Sequence, residues 1–385
     1  MIPKNIKREH IIKAIKKINK VGIPEGRNSK KFLLEYKCEF YPPKYVISLA
    51  NKYANSKELV SQKFDGGAET NNYLKRLKFK IVENFSSAKS WEIKVKQDPK
   101  PSLARIVIAG EWNRDVATSK NLLQKVCAKW PKGKRVNYLI TCGDFLNFDW
   151  PKSLTDVGNN KDQNKKTLNL LISEAKKQCD LLISKKLRKK LLRYTDFITI
   201  GIDSHKDETS INNGSIRQLD VELVALVDLK TKRYYWTGKS YPTVEQQDGL
   251  IRISDLKTHF INLKIGKVMI LGCHDLNVFS PRGKAVTKSE WRKEIREGFY
   301  DIVKREKPSV ILHHPHITDS SKTWTSAWNE LIKTTHSVKK YISAGRYFNQ
   351  HIERSCLNEV LDNTKRGDTI DFIVRLCEIK CTNIK

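Results

Sequence analysis

Three apolar runs in this 385-residue chain end in side chains able to do chemistry: VNYLITCGD at Asp144, KRYYWTGK at Lys239 and KVMILGCHD at Cys273. A thiol at a strand end beside an ammonium group has its thiolate stabilised, and a thiolate is a competent nucleophile toward an amide or nitrile carbon. A carboxylate in reach completes such a set, because the proton leaving the thiol and the proton needed by a departing amine both need a carrier. Histidines form a second collection: His205 in DSHKDE, His274 in CHD, and His313, His314 and His316 in HHPH. Together with Asp144 they are candidates to hold metal ions, which would activate water for phosphodiester cleavage.

The order of an acid, a Lys and a Cys at successive strand ends resembles the nitrilase, or carbon–nitrogen hydrolase, superfamily. The Cys-His-Asp run at Cys273 is similar to the Cys-aromatic-acid run at that family's nucleophile. The resemblance spans roughly residues 104 to 350 and implies an α/β fold, an αββα four-layer sandwich, with no cofactor. It implies that Cys273 attacks and that Lys239 and the backbone N–H of His274 stabilise the oxyanion. Asp144 would move protons, and Glu245 would orient Lys239 and the water. The family's base is a Glu, whereas Asp144 is one methylene shorter; Glu111, at the end of the preceding strand, is the expected compensating carboxylate.

Two other readings compete. The segments bearing Asp144, His205, His274, His314 and His316 fall in the order of metal ligands in calcineurin-like phosphoesterases, although RIVIAGEWN lacks that family's Asp-x-His start. The third is a catalytically inactive sandwich serving as a binding scaffold.

The elements that must position these residues are short. From residue 103 to 385, strands such as ARIVIAG, DFITIGI, VELVALVDL and PSVILHH alternate with helical stretches at 164–192 and 289–305, the pattern of an α/β domain. Residues 86–102, SSAKSWEIKVKQDPKPS, are polar and end in Pro-rich sequence, which predicts a linker. Residues 1–85 predict a small α+β domain. IKREHIIKAIKKINK places Ile6, Ile11, Ile15 and Ile18 on one helical face. KKFLLEY and CEFYPP make a hairpin, a helix starts at Pro43, and a Gly-Gly turn leads to a short helix and a closing strand.

A net charge of +31 attracts polyanions through counterion release, and double-stranded DNA is the expected partner. Arg27, Asn28, Ser29, Lys30 and Lys31 in one turn, Lys44, and Gly66, Gly67, Thr70, Asn71 and Asn72 in another supply cations, close backbone approach and polar tips. YPPKYVISLANKYA followed by FDGGAETNNYLKRLKF resembles the N-terminal DNA-recognition domain of some modification-dependent HNH endonucleases, which implies a restriction or defence setting. No HNH arrangement follows. A protein-interaction domain is the alternative for this segment. The eight cysteines lack CxxC pairing and are expected to be reduced thiols. Neither a membrane span nor a signal peptide is read, so a cytoplasmic protein is expected, with homo-oligomerisation left open.

Overall fold

The structure, a computed structural model, describes residues 2–24, 26, 27, 29, 32–36, 39–83, 91–154, 161–209, 216–243, 246, 249–281, 290–317, 321–347 and 356–376. Its contacts separate into two compact units, one made by the described residues up to Glu83 and the other by those from Trp91 onward.

The first unit runs α1 (Arg8–Val21), β1 (Phe32–Tyr36), β2 (Glu39–Tyr41), α2 (Pro43–Asn55), α3 (Ala68–Arg76) and β3 (Lys80–Glu83). The three strands form one antiparallel sheet in the order β2-β1-β3. Ile11, Ala14, Ile15 and Ile18 of α1 are buried against Val46, Ile47 and Ala50 of α2, while Lys13, Lys16 and Lys17 stay exposed. Pro43 occupies the first helical turn of α2, where its missing N–H leaves no hydrogen bond unmade.

The second unit begins with β4 (Trp91–Gln97), β5 (Leu103–Ala109), α4 (Val116–Ala128), β6 (Val136–Ile140) and β7 (Leu146–Asn147). Next come α5 (Lys161–Leu182), α6 (Lys185–Leu191), β8 (Thr195–Thr209), β9 (Ile216–Asp228) and β10 (Tyr234–Gly238). The chain continues through β11 (Phe260–Leu263), β12 (Gly266–Leu271), α7 (Glu290–Glu306), β13 (Val310–His313) and α8 (Ser321–Thr334). It closes with β14 (Lys340–Ser343), α9 (Leu357–Asn363), β15 (Lys365–Arg366) and β16 (Thr369–Leu376). The architecture is mixed α/β. One sheet has the order β10-β9-β8-β6-β5-β16-β4, with β7 beside β8, and the other has the order β11-β12-β13-β14-β15.

Two expectations are corrected here. Part of the segment read as a linker, 86–102, is β4, which pairs antiparallel with β16 along its whole length. Its polar look comes from alternation: Ile93 is buried while Glu92 and Lys94 face outward. The helix expected over 164–192 breaks at Ser184, the N-cap of α6.

Side-chain parity stacks the layers. Ile198, Ile200 and Ile202 of β8 and Leu223, Ala225 and Val227 of β9 pack with Leu123, Leu171 and Leu187 of α4, α5 and α6. The opposite parity, Tyr138 and Ile140 of β6 with Val224 and Leu226 of β9, meets Val268, Ile270, Leu312 and Ile342 of the smaller sheet. On that sheet's far side, Met269, Leu271 and Ile311 pack with Phe299 and Val303 of α7 and Trp328 of α8. Each fully buried aliphatic side chain in these layers contributes about 1.5–3 kcal/mol. Among the described residues no helix is long and apolar enough to cross a membrane.

Candidate active site

The same parity carries past the apolar core and puts acids where the two sheets face each other. On β8, Asp203 follows Phe197, Thr199 and Gly201 on the inter-sheet side; on β9, Glu222 precedes Val224 and Leu226 on that side. Asp203 and Glu222 are direct partners in the β8–β9 ladder, and each is only 7% exposed. Cys273 lies just past β12, and His316 just past β13, at the carboxyl ends of neighbouring parallel strands. Ligands in open α/β sheets are bound at such strand ends.

Two close approaches fix these ends. A Cβ on Gly272 would come within 2.9 Å of the backbone of Lys239, so only glycine lets the Cys273 turn lie against the Lys239 segment. A Cβ on Gly143 would meet the His314 carbonyl at 2.5 Å and the His316 ring at 2.8 Å. Asp275 then ties the turn down: its carboxylate accepts from the backbone N–H groups of Gly272, Ser240 and Tyr241 at 2.9, 2.9 and 2.8 Å.

Around the thiol, Glu222, Cys273 and His316 each present a donor atom within 4.8 Å of the other two. The backbone N–H of His316 donates to Cys273 Sγ at 3.4 Å. Lys239 Nζ donates to Glu222 Oε1 at 2.7 Å and to Gln246 Oε1 at 2.5 Å. His316 Nε2 stands 3.1 Å from Asp203 Oδ2 and 3.5 Å from Glu222 Oε2. A cleft of roughly 290 Å3 opens here, lined by Arg114, Asp203, His205, Asp220, Glu222, Gln246 and His316 among others. Cys273, 9% exposed, is not among the lining residues but stands beside two that are, Glu222 and His316.

The charges are interdependent. Burial works against ionised Lys239, but Glu222 and Cys273 outweigh it and raise its pKa, so it is an ammonium. Burial likewise opposes Glu222, yet His316 and Lys239 hold its pKa below the ordinary value. His316, disfavoured by burial, is raised well above its usual range by Asp203, Cys273 and Glu222. Burial pushes the Cys273 thiol up, against the downward pull of His316 and Lys239. A thiol, a fixed ammonium, a carboxylate and an imidazole grouped in this way can deliver a nucleophile, an oxyanion donor and a proton carrier.

Of the residues expected from sequence, Cys273 and Lys239 meet here. Asp144 is 1% exposed and paired with Arg346 at 2.7 Å and Arg114 at 3.5 Å, so its carboxylate is tied to two guanidiniums. Glu245 lies outside the described residues; among the described residues Glu222 and Gln246 accept from Lys239. Glu111 is exposed beyond the end of β5 and is not among the residues lining the cleft. His274 hydrogen-bonds Asn277 through Nδ1 at 2.8 Å, and burial pushes its pKa down to about 4.

The five-residue metal set of the phosphoesterase reading is not brought together. His314 spends Nδ1 on the Thr141 carbonyl at 2.9 Å, His274 spends Nδ1 on Asn277, Asp144 is held by arginines, and His205 is exposed on β8. Only His316 of that set joins the cluster with Glu222 and Cys273, which is the sole grouping of this kind among the described residues. Sequence reasoning missed Asp203, Glu222, Gln246, Arg114 and Arg346. An acid on the core-facing parity of VELVALVD was the available signal for Glu222.

In the first unit, Arg27 lies over the Tyr45 ring at 5.7 Å and Lys44 over Phe64 at 5.3 Å, beside Gly66. Ser29 and Gly67 are half-buried and Asn72 is exposed. Thr70 and Asn71 do not present polar tips to a ligand: both are buried, and the Thr70 hydroxyl donates to the Asp65 carbonyl at 2.5 Å. Asn28, Lys30 and Lys31 lie outside the described residues.

No family model matches the sequence, and no curated protein matches it. Among solved structures, an amidase from Nesterenkonia sp. is similar at a TM-score of 0.33 and 11% identity, covering 65% of this chain and 78% of that one. A cysteine-to-alanine mutant of the Nesterenkonia AN1 amidase, described as from the nitrilase superfamily, gives 0.33 and 10% over 65% and 78%. The acrylamide adduct of such an amidase at its active-site cysteine gives 0.33 and 10% over 63% and 78%. These are distant likenesses, and the chemistry open to this chain follows from its own side chains.

Proposed function

We propose that the larger unit is a thiol-dependent hydrolase of C–N bonds of the amide or nitrile type, on a nitrilase-like αββα sandwich. The observation that carries this reading is the convergence of Cys273, Glu222 and His316 within 4.8 Å, with Lys239 bound to Glu222 at 2.7 Å beside a cleft. With an amide substrate, Cys273 Sγ attacks the carbonyl carbon as its proton passes to the Glu222 Oε2 oxygen. Lys239 Nζ, already charged and buried, donates to the oxygen that becomes negative, with no solvent reorganisation at that moment. The proton returns to the leaving amine, the C–N bond breaks, and a thioester remains on Cys273. Water attacks that thioester with Glu222 as proton acceptor, and the thiol is regenerated. Glu222, and not Asp144, carries the protons in this scheme, because Asp144 is neutralised by Arg346 and Arg114.

A substrate-like electrophile tests it. Iodoacetamide at neutral pH, in the presence of a chelator, is expected to modify Cys273 with a rate that saturates in reagent and is lost in Glu222→Gln. Cys356, the exposed thiol among the described residues, should react without saturation. Non-saturating modification of both at similar rates would remove the hydrolase reading.

For the first unit, residues 1–85, we propose double-stranded DNA as the partner, in a restriction or defence setting. The net charge of +31 and the exposed Lys13, Lys16 and Lys17 of α1 support it. Gel shifts across a salt series are expected to lose affinity steeply as salt rises, and a flat response would point to a protein partner.

A further inference from the structure

The donor atoms around Cys273 fit a cation better than they fit one another. His316 Nε2 lies 3.1 Å from Asp203 Oδ2 and 3.5 Å from Glu222 Oε2. Both His316 Nε2 and Glu222 Oε2 are buried, and neither makes a hydrogen bond among the described residues. The nitrogen is thus close to two carboxylates and aligned with neither. A tetrahedral zinc with nitrogen and oxygen ligands at about 2.0–2.1 Å would set those atoms about 3.3 Å apart, between the two observed spacings. Cys273 Sγ lies within 4.8 Å of both ligand atoms, and a tetrahedral site with a Zn–S bond of about 2.3 Å sets sulfur about 3.5 Å from them, a contraction of at most about 1.3 Å.

Charge and softness select the ion. With His316 as a neutral ligand, a Cys273 thiolate, Glu222 and Asp203 carry three negative charges against one positive charge on Lys239, so a divalent cation that takes the place of the imidazolium proton brings the group to neutrality. Lys239 holds Glu222 Oε1 and leaves Oε2 for the metal. A thiolate–imidazole–carboxylate set suits zinc and disfavours magnesium and calcium, which take all-oxygen shells.

We propose that Glu222, Cys273 and His316 form a Zn2+ site, with a fourth position open toward the cleft, and that zinc there masks the nucleophile. Binding replaces the Cys273 S–H bond by a Zn–S bond and the His316 Nε2–H bond by a Zn–N bond, and releases both protons to solvent. The masking consequence rests on the hydrolase reading above, whereas the site itself does not.

Cobalt(II) added to chelator-treated full-length protein is the direct probe, because a thiolate ligand gives a sulfur-to-cobalt charge-transfer band in the near ultraviolet. The expected result is a 1:1 complex with that band, displaced by Zn2+ and lost in Cys273→Ser. Zinc affinity, measured against a chromophoric chelator, should fall about 10-fold or more in His316→Gln and in Glu222→Gln. Absence of the band in the parent protein, or unchanged zinc affinity in His316→Gln and Glu222→Gln, overturns the site. Fast alkylation of Cys273 that zinc leaves unaffected refutes the metal site and spares the hydrolase. Slow alkylation in chelator alone refutes the hydrolase, and the cobalt spectrum then decides the site by itself.

Discussion

Replacing Lys239 by Met tests how the site is held together. Lys239 is 2% exposed and bonds Glu222 at 2.7 Å, so the variant leaves Glu222, itself almost wholly buried, without its ammonium partner. At an effective dielectric near 20 the Coulomb attraction at this distance is about 6 kcal/mol, before the desolvation of both ions is subtracted. Removing one partner of a buried pair costs about 3–5 kcal/mol, because the surviving charge has lost water as well as its partner. Urea unfolding of Lys239→Met should show a loss of that size, and the double variant Lys239→Met/Glu222→Gln should recover most of it. A loss below about 1 kcal/mol, the scale of an exposed pair, or a double variant no more stable than the single, would refute the reasoning.

Three further outcomes follow from the same physics. Asp144→Asn should cost about 2 kcal/mol in urea unfolding, by stripping Arg346 of its ionic partner, yet leave Cys273 alkylation at the parent rate; a large slowing would return the proton-carrying role to Asp144. Arg105, buried, bonds Asp371, the Ser343 and Leu361 carbonyls and Thr364, so Arg105→Met should cost about 3–5 kcal/mol, and a loss under 1 kcal/mol would contradict that network's importance. Burial lowers the His259 pKa below its ordinary 6.5, so below that pH the unfolded chain binds the proton that the folded chain refuses. Stability should fall as the pH drops below about 6.5, and His259→Gln should remove up to about 1.4 kcal/mol per pH unit of that slope. An unchanged slope would mean that His259 accepts the proton in place.

The strands that carry the site were legible because apolar runs bounded by turn residues survive in the sequence: β6, β8, β9, β10, β12 and β13 all fall on runs read as strands. So were Cys273 and Lys239, which sit at strand ends. β16 was not, although it lies inside the larger sheet between β5 and β4. TIDFIVRL is short, and its Asp371 looks unsuited to a core until Arg105 of the neighbouring strand is seen to meet it at 2.8 Å. β4 was hidden by the same alternation that makes any edge strand look polar. The acid partner was misassigned for a different reason. A sequence shows that Asp144 ends a strand, but not that Arg346, about two hundred residues on, folds back to neutralise it, nor that Asp203 and Glu222 pair across a ladder with Glu222 beside the thiol. The histidines misled because HHPH places three rings within four residues, whereas the chain turns between them: His313 bonds Ser343 and the Cys273 carbonyl, His314 bonds Thr141, and His316 faces the cleft.

The central claim is that Cys273 forms a thioester during turnover. Chelator-treated protein mixed briefly with p-nitrophenyl acetate, quenched in acid and read by peptide mass mapping, addresses it directly. The account predicts one acetyl group per chain, on the Cys273 peptide, and none on that peptide in Glu222→Gln at the same time point. Acetyl groups found on Cys356 or spread over lysines, with Cys273 unmodified, would contradict it.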